Sequence, residues 1–579
     1  MSGRPDHQTA ATIHRAADFI RSRHWSQAEE WLERVLASNP CEPDGLQLMG
    51  LVREGQGRLD EAQSLFRQSL ALRPNQPHVE VQLGRTLAEA GKYAEAIAVL
   101  SKAANAHADL FEAFLVMAQV QVRTGELVAA EASFRAALRL APKSTAALSG
   151  LGVLLNKVKR PTESEPLLRA AARDSHGPRA QRSAIGHNLA AALEMQGRQD
   201  EAVSAWKDAL ALDPTNLDAH HELNALLYRR GSDGDFLSSY DEALTRVPQA
   251  TGVLLLQKAA FLMHCERFDE ARDCLARVAA MAPDSPGPQC GLASAYAGLG
   301  RFDLAIAAFE KALVLAPEDS SAKMNLACVL LEVGENKRAL DLTREIVRRM
   351  PMDQSVLAVH ELALRANADA AADAIADYER DVQIFDLEPP PGFSSMEGFN
   401  SVLDACLDGL HTDRREHIDQ TVRHGTQSPP ALFSDPREVL QMLRRRIEDA
   451  VAAYIARMPA SDASHPLYGR RRNGFAFSGS WSSRLHDCGF HTNHIHPKGW
   501  ISSCYYVAVP DVVEDSAAKQ GWIKFGEPSF KVRLTEPIRR AIQPVPGRLV
   551  LFPSYMWHGT VPFRSATART TIAFDAVPK

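Results

Sequence analysis

Prolines recur at a nearly constant interval through the first two thirds of this 579-residue chain. They are Pro40, Pro74, Pro142, Pro214, Pro248, Pro283, Pro317 and Pro351. Most neighbours in this series are 34 or 35 residues apart; one gap is 68, which is two intervals, and one is 72, which is two intervals plus four residues. Because proline cannot donate the backbone hydrogen bond that a helix interior needs, each one marks the end of a helical pattern. The interval predicts a repeated unit of two short helices.

The residues inside each unit follow a common order of glycine, an aromatic residue or leucine, and then small alanines. Gly91-Lys-Tyr93, for example, leads to Ala96. Small residues let paired helices approach closely, and this order at a period of 34 resembles the tetratricopeptide repeat. The resemblance implies about ten units between residues 9 and 353, two of them degraded near 144–177 and 216–249. Such an array offers a concave surface for a protein or peptide partner.

The composition is that of an ordinary globular protein, with 45% hydrophobic and 23% charged residues and a net charge of −6. This balance gives no reason to expect binding to nucleic acid or to a membrane surface. No apolar run approaches the roughly 18 residues that a membrane span needs. The eight cysteines are scattered and form no C-x-x-C pair. We therefore expect a cytoplasmic protein.

The repeat pattern stops before the last third of the chain. Residues 354–380 are rich in alanine and predict a capping helix, and three consecutive prolines mark 381–395 as a semi-rigid linker. Residues 396–579 form the predicted second domain. Its segment 466–579 alternates short apolar runs with Gly, Pro and Asp, which is typical of a β-sandwich or barrel.

Within this second domain we expect two helices, near 396–410 and 436–457, with a loop at 423–430 between them. The predicted strands are 473–478, 481–486, 500–509, 521–525, 529–534, 548–553 and 569–575.

Three histidines in the β-rich segment have the spacing of a metal site. His494 and His496 are two residues apart beside a predicted strand, so their side chains point the same way. His558 follows a later strand and completes a set of three if the two strands lie side by side. Imidazole binds iron, zinc, copper and nickel, so the ligand type alone does not select the metal.

Three kinds of site fit these residues. An all-histidine set with an open position is typical of catalytic zinc. A cupin-like site fits the two neighbouring histidines but lacks the glutamate that should follow them. Non-haem Fe(II) takes two histidines and one carboxylate, for which Asp487 is the nearest acidic residue.

An arginine on the last predicted strand favours the iron site. Arg569 lies 11 residues after His558, and Thr571 shares its strand face. A guanidinium fork with a hydroxyl beside it matches the distal carboxylate of a dicarboxylic acid.

Several sequence runs of this domain resemble a group of 2-oxoglutarate- and Fe(II)-dependent oxygenases with a double-stranded β-helix (jelly-roll) core. The runs are His494-Ile-His496-Pro-Lys-Gly-Trp-Ile-Ser-Ser-Cys-Tyr-Tyr-Val507, Pro546-Gly-Arg-Leu-Val-Leu-Phe-Pro-Ser554 with Trp557-His558, and Arg569 to Phe574; Arg423-His-Gly-Thr-Gln427 and Ser480-Trp-Ser-Ser-Arg484 are similar too.

The resemblance implies an α-helical solenoid followed by a jelly-roll domain with flanking helices. It implies Fe(II) on His494 and His558, with His496 standing where the superfamily has aspartate, and 2-oxoglutarate held by Arg569. Tyr506 is a weaker candidate for hydrogen bonding to this co-substrate.

The expected function is a dioxygenase that uses Fe(II), 2-oxoglutarate and O₂ to hydroxylate a protein or peptide recruited by the repeat array. The alternative is a non-catalytic scaffold that binds protein partners through its repeats. In that case the β-domain would be cupin-like or would bind zinc.

Overall fold

The computed structural model describes residues 7–174, 176–231, 236–411, 420–459, 462–472 and 474–579. The chain divides into two compact units between His220 and His221. Among the described residues, none of the helices combines the length and the apolar character needed to cross a membrane.

The first unit consists of short helices that contact their neighbours in chain order. They are α1 (His7–Arg21), α2 (Trp25–Ser38), α3 (Pro43–Gly55), α4 (Leu59–Leu72), α5 (Pro77–Glu89), α6 (Tyr93–Ala106), α7 (Phe111–Thr124), α8 (Leu127–Leu140), α9 (Thr145–Lys157), α10 (Pro161–Ala172), α11 (Arg179–Met195) and α12 (Gln199–Leu212). Helices α3, α5, α7 and α9 begin 34 residues apart, as the proline interval predicts. The segment 144–177, whose sequence pattern is degraded, still forms the ordinary pair α9 and α10.

Glycines and alanines lie where the paired helices approach most closely. A Cβ atom on Gly84 of α5 would stand 2.6 Å from Cγ of Leu100 of α6, which is closer than real Cβ contacts. Leu100 and Ala96, both of α6, are fully buried. The small residues of the repeat pattern therefore set the spacing between helices.

Helices also form the first part of the second unit, and α13 crosses the division between the units. They are α13 (Leu217–Arg229), α14 (Ser238–Arg246), α15 (Thr251–His264), α16 (Phe268–Met281), α17 (Pro286–Gly298), α18 (Phe302–Leu315), α19 (Ser320–Val333), α20 (Asn336–Arg349), α21 (Gln354–Ala366), α22 (Ala371–Ile375), α23 (Tyr378–Asp381), α24 (Met396–Asp408) and α25 (Glu438–Arg457). Residues 232–235 of the second degraded unit lie outside the described residues.

The predicted capping helix and linker differ from what the structure contains. Residues 354–380 form three short helices, α21 to α23, because the chain turns through Ala368, whose φ is 53°. The linker 381–395 is not free of regular structure, because Gln383–Asp386 forms a strand that pairs with Arg548–Leu551. The three prolines follow that strand.

Nine strands form two antiparallel sheets among the described residues. They are β1 (Gln383–Asp386), β2 (Val422–Gln427), β3 (Phe475–His491), β4 (Ile501–Ala508), β5 (Ile523–Phe525), β6 (Arg540–Ile542), β7 (Arg548–Pro553), β8 (His558–Thr560) and β9 (Arg569–Pro578). The main sheet has the order β1-β7-β4-β9-β3-β2, and the small sheet has the order β6-β5-β8. The predicted fold class, a helical repeat array followed by a β-rich domain with flanking helices, is confirmed.

Three of the strand predictions were wrong in detail. Residues 475–478 and 481–486 of the two predicted runs belong to the single long strand β3, and residue 473 lies outside the described residues. The predicted loop 423–430 contains all of β2 except its first residue, Val422. Residues 529–534 form no strand, although Phe530, Val532 and Leu534 pack against the core in alternation. Alternating apolar residues predict an extended backbone, but a strand also requires a neighbouring strand to pair with.

The last repeat helices and the β-rich domain share one hydrophobic core, which runs from Ala293 to Ala576. Polar contacts join the same parts: Trp557 Nε1 donates to the Ala358 carbonyl at 3.2 Å, and the Tyr555 hydroxyl donates to the Ile375 carbonyl at 2.7 Å. The second unit is therefore continuous from repeats to sheets.

Candidate metal centre and anion pocket

The three predicted histidines converge in the structure. His494 and His496 follow the end of β3, and His558 begins β8. The backbones of His494 and His558 exchange two hydrogen bonds, of 2.8 and 3.0 Å, which fixes the two segments side by side. One ring nitrogen from each of the three residues lies within 4.8 Å of the other two. Two β-segments therefore deliver three imidazoles to one point.

Each of these rings has its outer nitrogen occupied by a hydrogen-bond acceptor. Nδ1 of His494 donates to the Thr492 carbonyl at 2.7 Å, and Nδ1 of His558 donates to the Met556 carbonyl at 2.9 Å. Nδ1 of His496 contacts a carboxylate oxygen at 2.8 Å. Because carbonyl and carboxylate oxygens only accept, Nδ1 carries the proton in all three rings. Nε2 is left as the lone-pair donor, which is the arrangement found around protein-bound metals.

Burial keeps the His494 and His558 rings in the neutral form that binds metal. It lowers the pKa of His494 to about 3, helped by the neighbouring His496 ring, and it lowers the pKa of His558 well below its usual value. The Nε2 atoms of His494 and His496 are 3.2 Å apart, so two lone pairs face each other. Two nitrogens bound at about 2.1 Å to one ion lie about 3 to 3.5 Å apart. A cation between them turns a repulsive contact into a favourable one.

The carboxylate behind His496 belongs to Asp575, which our sequence reasoning missed. Its Oδ2 contacts Nδ1 of His496, and its Oδ1 accepts a 2.7 Å hydrogen bond from the Ser502 hydroxyl. Asp575 lies on β9 two, four and six residues after Ala573, Thr571 and Arg569. The same alternation that pairs Arg569 with Thr571 could have identified it.

Asp487, the nearest acidic residue in sequence, does not complete the site. Its side chain is exposed and its Oδ1 accepts from the Ser565 backbone N–H at 3.0 Å. Among the described residues, the cluster of potential ligands contains histidines only. The interpretation with Asp487 as the third ligand is therefore wrong.

A cavity of about 210 Å³ contains the histidine cluster. Its lining includes Arg569 and Thr571 from β9, Ser483 from β3 and Ile523 from the small sheet. Strand registers place Ser483 opposite Thr571 and Thr571 opposite Tyr506, so these three side chains stand in a row on one face of the main sheet.

Arg569 is the most unusual residue of this cavity. Its side chain is 1% exposed, and neither Nε nor Nη1 has a hydrogen-bond partner. The hydroxyls of Tyr506 and Ser483 are also buried without a partner. Tyr506 does not line the cavity; its ring lies 5.0 Å from the Arg569 guanidinium. Leaving N–H groups of a charged side chain buried without acceptors is expensive, and an anion in the cavity can supply those acceptors.

The arrangement fits the predicted groups on chemical grounds. Three imidazoles suit a borderline divalent cation such as Fe(II) or Zn(II). In the same cavity, unpaired N–H groups of Arg569 suit a carboxylate. The imidazole His491 also lines the cavity, where its Nδ1 meets the Thr421 hydroxyl at 3.2 Å.

Known protein families match both the helical repeats and the domain that contains the histidine cluster. Residues 479–575 match the family described as "Putative 2OG-Fe(II) oxygenase", a range that contains all three histidines, Arg569 and Asp575. Tetratricopeptide-repeat families match residues 55–120, 113–218, 266–320 and 290–354. The chain thus combines N-terminal tetratricopeptide repeats with a C-terminal domain of the family described as "Putative 2OG-Fe(II) oxygenase". The names of the curated relatives from Xanthomonas axonopodis pv. citri and Bacillus subtilis do not mention oxygenase activity.

Two curated relatives and one solved structure illustrate the similarity. "Cellulose synthase operon protein C" of Xanthomonas axonopodis pv. citri (strain 306) is 26% identical over 62% of this chain, which spans only 28% of that relative's length. "TPR repeat-containing protein YpiA" of Bacillus subtilis (strain 168) is 22% identical over 58% of this chain and 77% of its own length. The structure of Pseudomonas aeruginosa pilF is 20% identical with a TM-score of 0.34, over 37% of this chain and 96% of that chain.

Proposed function

We propose that the oxygenase domain is a 2-oxoglutarate- and Fe(II)-dependent dioxygenase that hydroxylates a protein or peptide recruited by the repeats. One observation carries the proposal: three inward Nε2 atoms and a buried, unpaired guanidinium open onto the same cavity. When bound, Fe(II) together with 2-oxoglutarate and O₂ supplies the oxidising chemistry that side chains lack.

In this proposal His494, His496 and His558 hold the metal through Nε2. Their Nδ1 protons are tied to the Thr492 carbonyl, Asp575 and the Met556 carbonyl, which keeps each ring oriented before the metal arrives. Preorganisation of this kind lowers the entropy lost on binding.

Arg569 and Thr571 bind the distal carboxylate of 2-oxoglutarate, and Ser483 supplies a further hydroxyl. The unpartnered Nε and Nη1 of the guanidinium can donate charge-assisted hydrogen bonds, for which a carboxylate is a suitable acceptor. Burial raises the pKa of Tyr506 well above its usual value, so its hydroxyl stays protonated beside Arg569 and adds no competing negative charge. The main-sheet face thus positions the keto acid relative to the histidines.

We further propose that the partner is a protein, because tetratricopeptide repeats are tethered to the domain and such arrays expose long binding surfaces. A cytoplasmic location is consistent with eight free cysteines, since a reducing compartment keeps thiols unpaired.

The test is release of succinate from 2-oxoglutarate under air with added Fe(II), using the full chain. Wild type should release succinate, and His558→Ala should not. His486→Ala, which removes an exposed histidine of β3 outside the cavity, serves as the matched control and should behave as wild type. If wild type binds Fe(II) and 2-oxoglutarate but releases no succinate in the presence of a peptide pool, the dioxygenase proposal is wrong.

A second candidate function is a repeat scaffold whose β-domain binds zinc without turnover. The all-imidazole ligand set favours it, since the described cluster lacks the carboxylate that usually completes a non-haem iron site. Metal analysis of protein purified without added metals distinguishes the two. Stoichiometric zinc that Fe(II) does not displace would favour the scaffold.

A further inference from the structure

The strand β3 has an open edge along its first half. Strand β9 pairs with β3 from Phe475 to Leu485 on one side. On the other side β2 pairs with β3 only from Ser483 onwards, so Phe475–Trp481 has a single neighbour among the described strands. An unpaired strand edge presents a row of N–H and C=O groups that another extended chain can bind.

The backbone groups of at least one residue point towards this open side. The carbonyl of Ala576, the partner of Phe477 on β9, accepts from the Trp500 N–H at 2.9 Å and therefore faces away from β3. In an antiparallel pair the N–H and C=O of Phe477 then face the open edge. The Phe477 ring packs 4.9 Å from Phe433 and 5.1 Å from Phe574, which holds the edge in place.

A groove of about 830 Å³ runs between this edge and helix α25. Consecutive residues Phe475–Ser480 line one side. The other side is formed by a stripe of α25, with Arg444, Glu448, Ala452 and Ala456 at intervals of four, together with residues of the segment 430–434. The two alanines leave a gap between helix and strand, and the volume lies within the range of about 300–1,000 Å³ that ligand sites have.

The groove is positively charged, and two of its cations have no carboxylate partner among the described residues. Arg471 Nη1 donates to the Met458 carbonyl at 3.0 Å and Arg472 Nη1 donates to the Arg471 carbonyl at 2.8 Å, so both meet neutral acceptors only. Arg444 is paired with Glu448 at 2.8 Å. A ligand with negative side chains is therefore the complementary one.

We propose that the groove between β3 and α25 binds an extended acidic segment of a partner protein, which adds to the open edge of β3 as a further strand. Main-chain hydrogen bonds to the edge hold the segment, and its carboxylates meet Arg471 and Arg472. This interaction goes beyond the proposed oxygenase activity, since it requires neither metal nor keto acid. Strand β3 continues from the groove to Trp481, which lines the cavity of the histidine cluster.

The binding test uses the full chain and a fluorescein-labelled octapeptide of alternating Glu and Val, read by fluorescence anisotropy. Two comparison peptides separate the two recognition elements. An alternating Lys and Val peptide reverses the charge, and the Glu and Val peptide methylated on every backbone nitrogen keeps the charge but loses the N–H donors of both strand edges. We expect each to bind at least about tenfold more weakly than the acidic probe.

Protein variants locate the site. Arg472→Glu should weaken binding of the acidic probe at least about tenfold. The matched control is Arg445→Glu, which makes the same charge change on an exposed position of α25 outside the groove. It should weaken binding less than about threefold, since only long-range screened charge is altered. Circular dichroism confirms that both variants are folded, and His558→Ala should keep full affinity.

Three results would overturn the proposal. The first is no saturable binding of the acidic peptide, which would mean that the arginines protect the edge from pairing. The second is equal affinity for the methylated and the unmethylated acidic peptides, which would mean that charge alone, without main-chain hydrogen bonds, accounts for binding. The third is a concentration-dependent dimer that Arg472→Glu abolishes, which would make a second copy of the chain the occupant of the edge.

Discussion

His496 and Asp575, 79 residues apart in sequence, are joined by a hydrogen bond of 2.8 Å between Nδ1 and Oδ2. The other carboxylate oxygen is held by the Ser502 hydroxyl, which also contacts the Ser554 hydroxyl at 2.8 Å. In the proposed metal centre, the negative charge of Asp575 lies on the far side of the His496 imidazole from the metal. A carboxylate in that position orients the ring and makes it a stronger ligand.

Replacing Asp575 with asparagine should weaken metal binding while leaving the fold intact. The amide has the same shape and still accepts a hydrogen bond, but it lacks the charge. We expect the affinity for Co(II) to fall by about 10- to 100-fold, measured by calorimetric titration. Asp487→Asn, which changes an exposed carboxylate outside the cavity, should leave the affinity unchanged.

A double substitution separates this role from a structural one. In His496→Asp the carboxylate binds the metal directly, so adding Asp575→Asn should then have less than about a threefold effect. An equal loss in both backgrounds would mean that Asp575 supports the fold rather than the metal. If wild type itself binds no divalent metal, the proposed centre is wrong altogether.

Arg569 should be needed for binding of 2-oxoglutarate but not of metal. Arg569→Met keeps a long side chain in the sheet face while removing the guanidinium. Loss of charge-assisted hydrogen bonds worth about 2 kcal/mol or more corresponds to at least about 30-fold weaker keto-acid binding. Titration of the Co(II)-loaded protein with 2-oxoglutarate measures it.

The control for this variant is Arg548→Met on β7. Arg548 pairs with the exposed Asp386 at 2.8 Å and lies outside the cavity, so keto-acid binding should be unchanged. If Arg569→Met binds 2-oxoglutarate as tightly as wild type does, Arg569 does not bind the keto acid.

Local sequence patterns could predict the three histidines and Arg569 because each lies in or beside a strand with clear alternation. Asp575 was missed although it continues the same alternation, since its role depends on the register that pairs Ser502 with Asp575. Register between distant strands is a tertiary property. Asp487 was wrongly considered as a ligand for the same reason. It is close to the histidines in sequence, but closeness in sequence does not determine whether a side chain faces the site.

The repeat helices could be predicted more fully than the sheets. A period of 34 residues is a local signal that recurs, so a weak unit such as 144–177 is supported by its neighbours. The sequence of β2, Val422–Gln427, contains a glycine and polar residues and therefore predicts a loop. The strand pairs with β3 through a register shift between Arg423 and Gly425. Bulges of this kind are not visible in alternation patterns.

The stability of the second unit should fall in mild acid, in part because of His360 on α21. Burial lowers the pKa of His360 to about 4, so the folded ring stays neutral while the unfolded chain takes up a proton near pH 6.5. Between about pH 6.5 and 4 the unfolded state therefore binds more protons, and stability decreases as the pH falls.

His360→Gln should reduce this pH dependence, because the variant has no ring to protonate and its amide can still bond to the Thr343 hydroxyl, which contacts Nδ1 of His360 at 3.0 Å. The measurement is the melting temperature of wild type and variant at pH 7.5 and pH 5. The exposed His486→Gln serves as a control and should follow wild type. If the melting temperature of His360→Gln falls between pH 7.5 and pH 5 by as much as that of wild type, His360 is not a source of the acid sensitivity.

The close approach of helices in the repeats predicts opposite effects of the same substitution at two glycines. In Gly84→Ala the new Cβ would lie 2.6 Å from Leu100 Cγ, so the helices α5 and α6 must separate. Overpacking of this kind destabilises by about 1–3 kcal/mol. At Gly287 on α17 an added methyl group would meet no atom within 4 Å, so Gly287→Ala should be neutral or stabilise by up to about 1 kcal/mol through helix propensity.

Urea unfolding of the full chain followed by circular dichroism measures both changes. Leu100→Ala in the Gly84→Ala background tests the cause, because it removes the atoms that the new methyl group meets. If the contact with Leu100 causes the loss of stability in Gly84→Ala, the double variant should lose less stability than the sum of the two single changes. In the double variant the methyl group fills part of the space that leucine leaves. Additive losses would mean that Gly84 is required for a reason other than its contact with Leu100, and the spacing argument for the repeat pattern would fail at this pair.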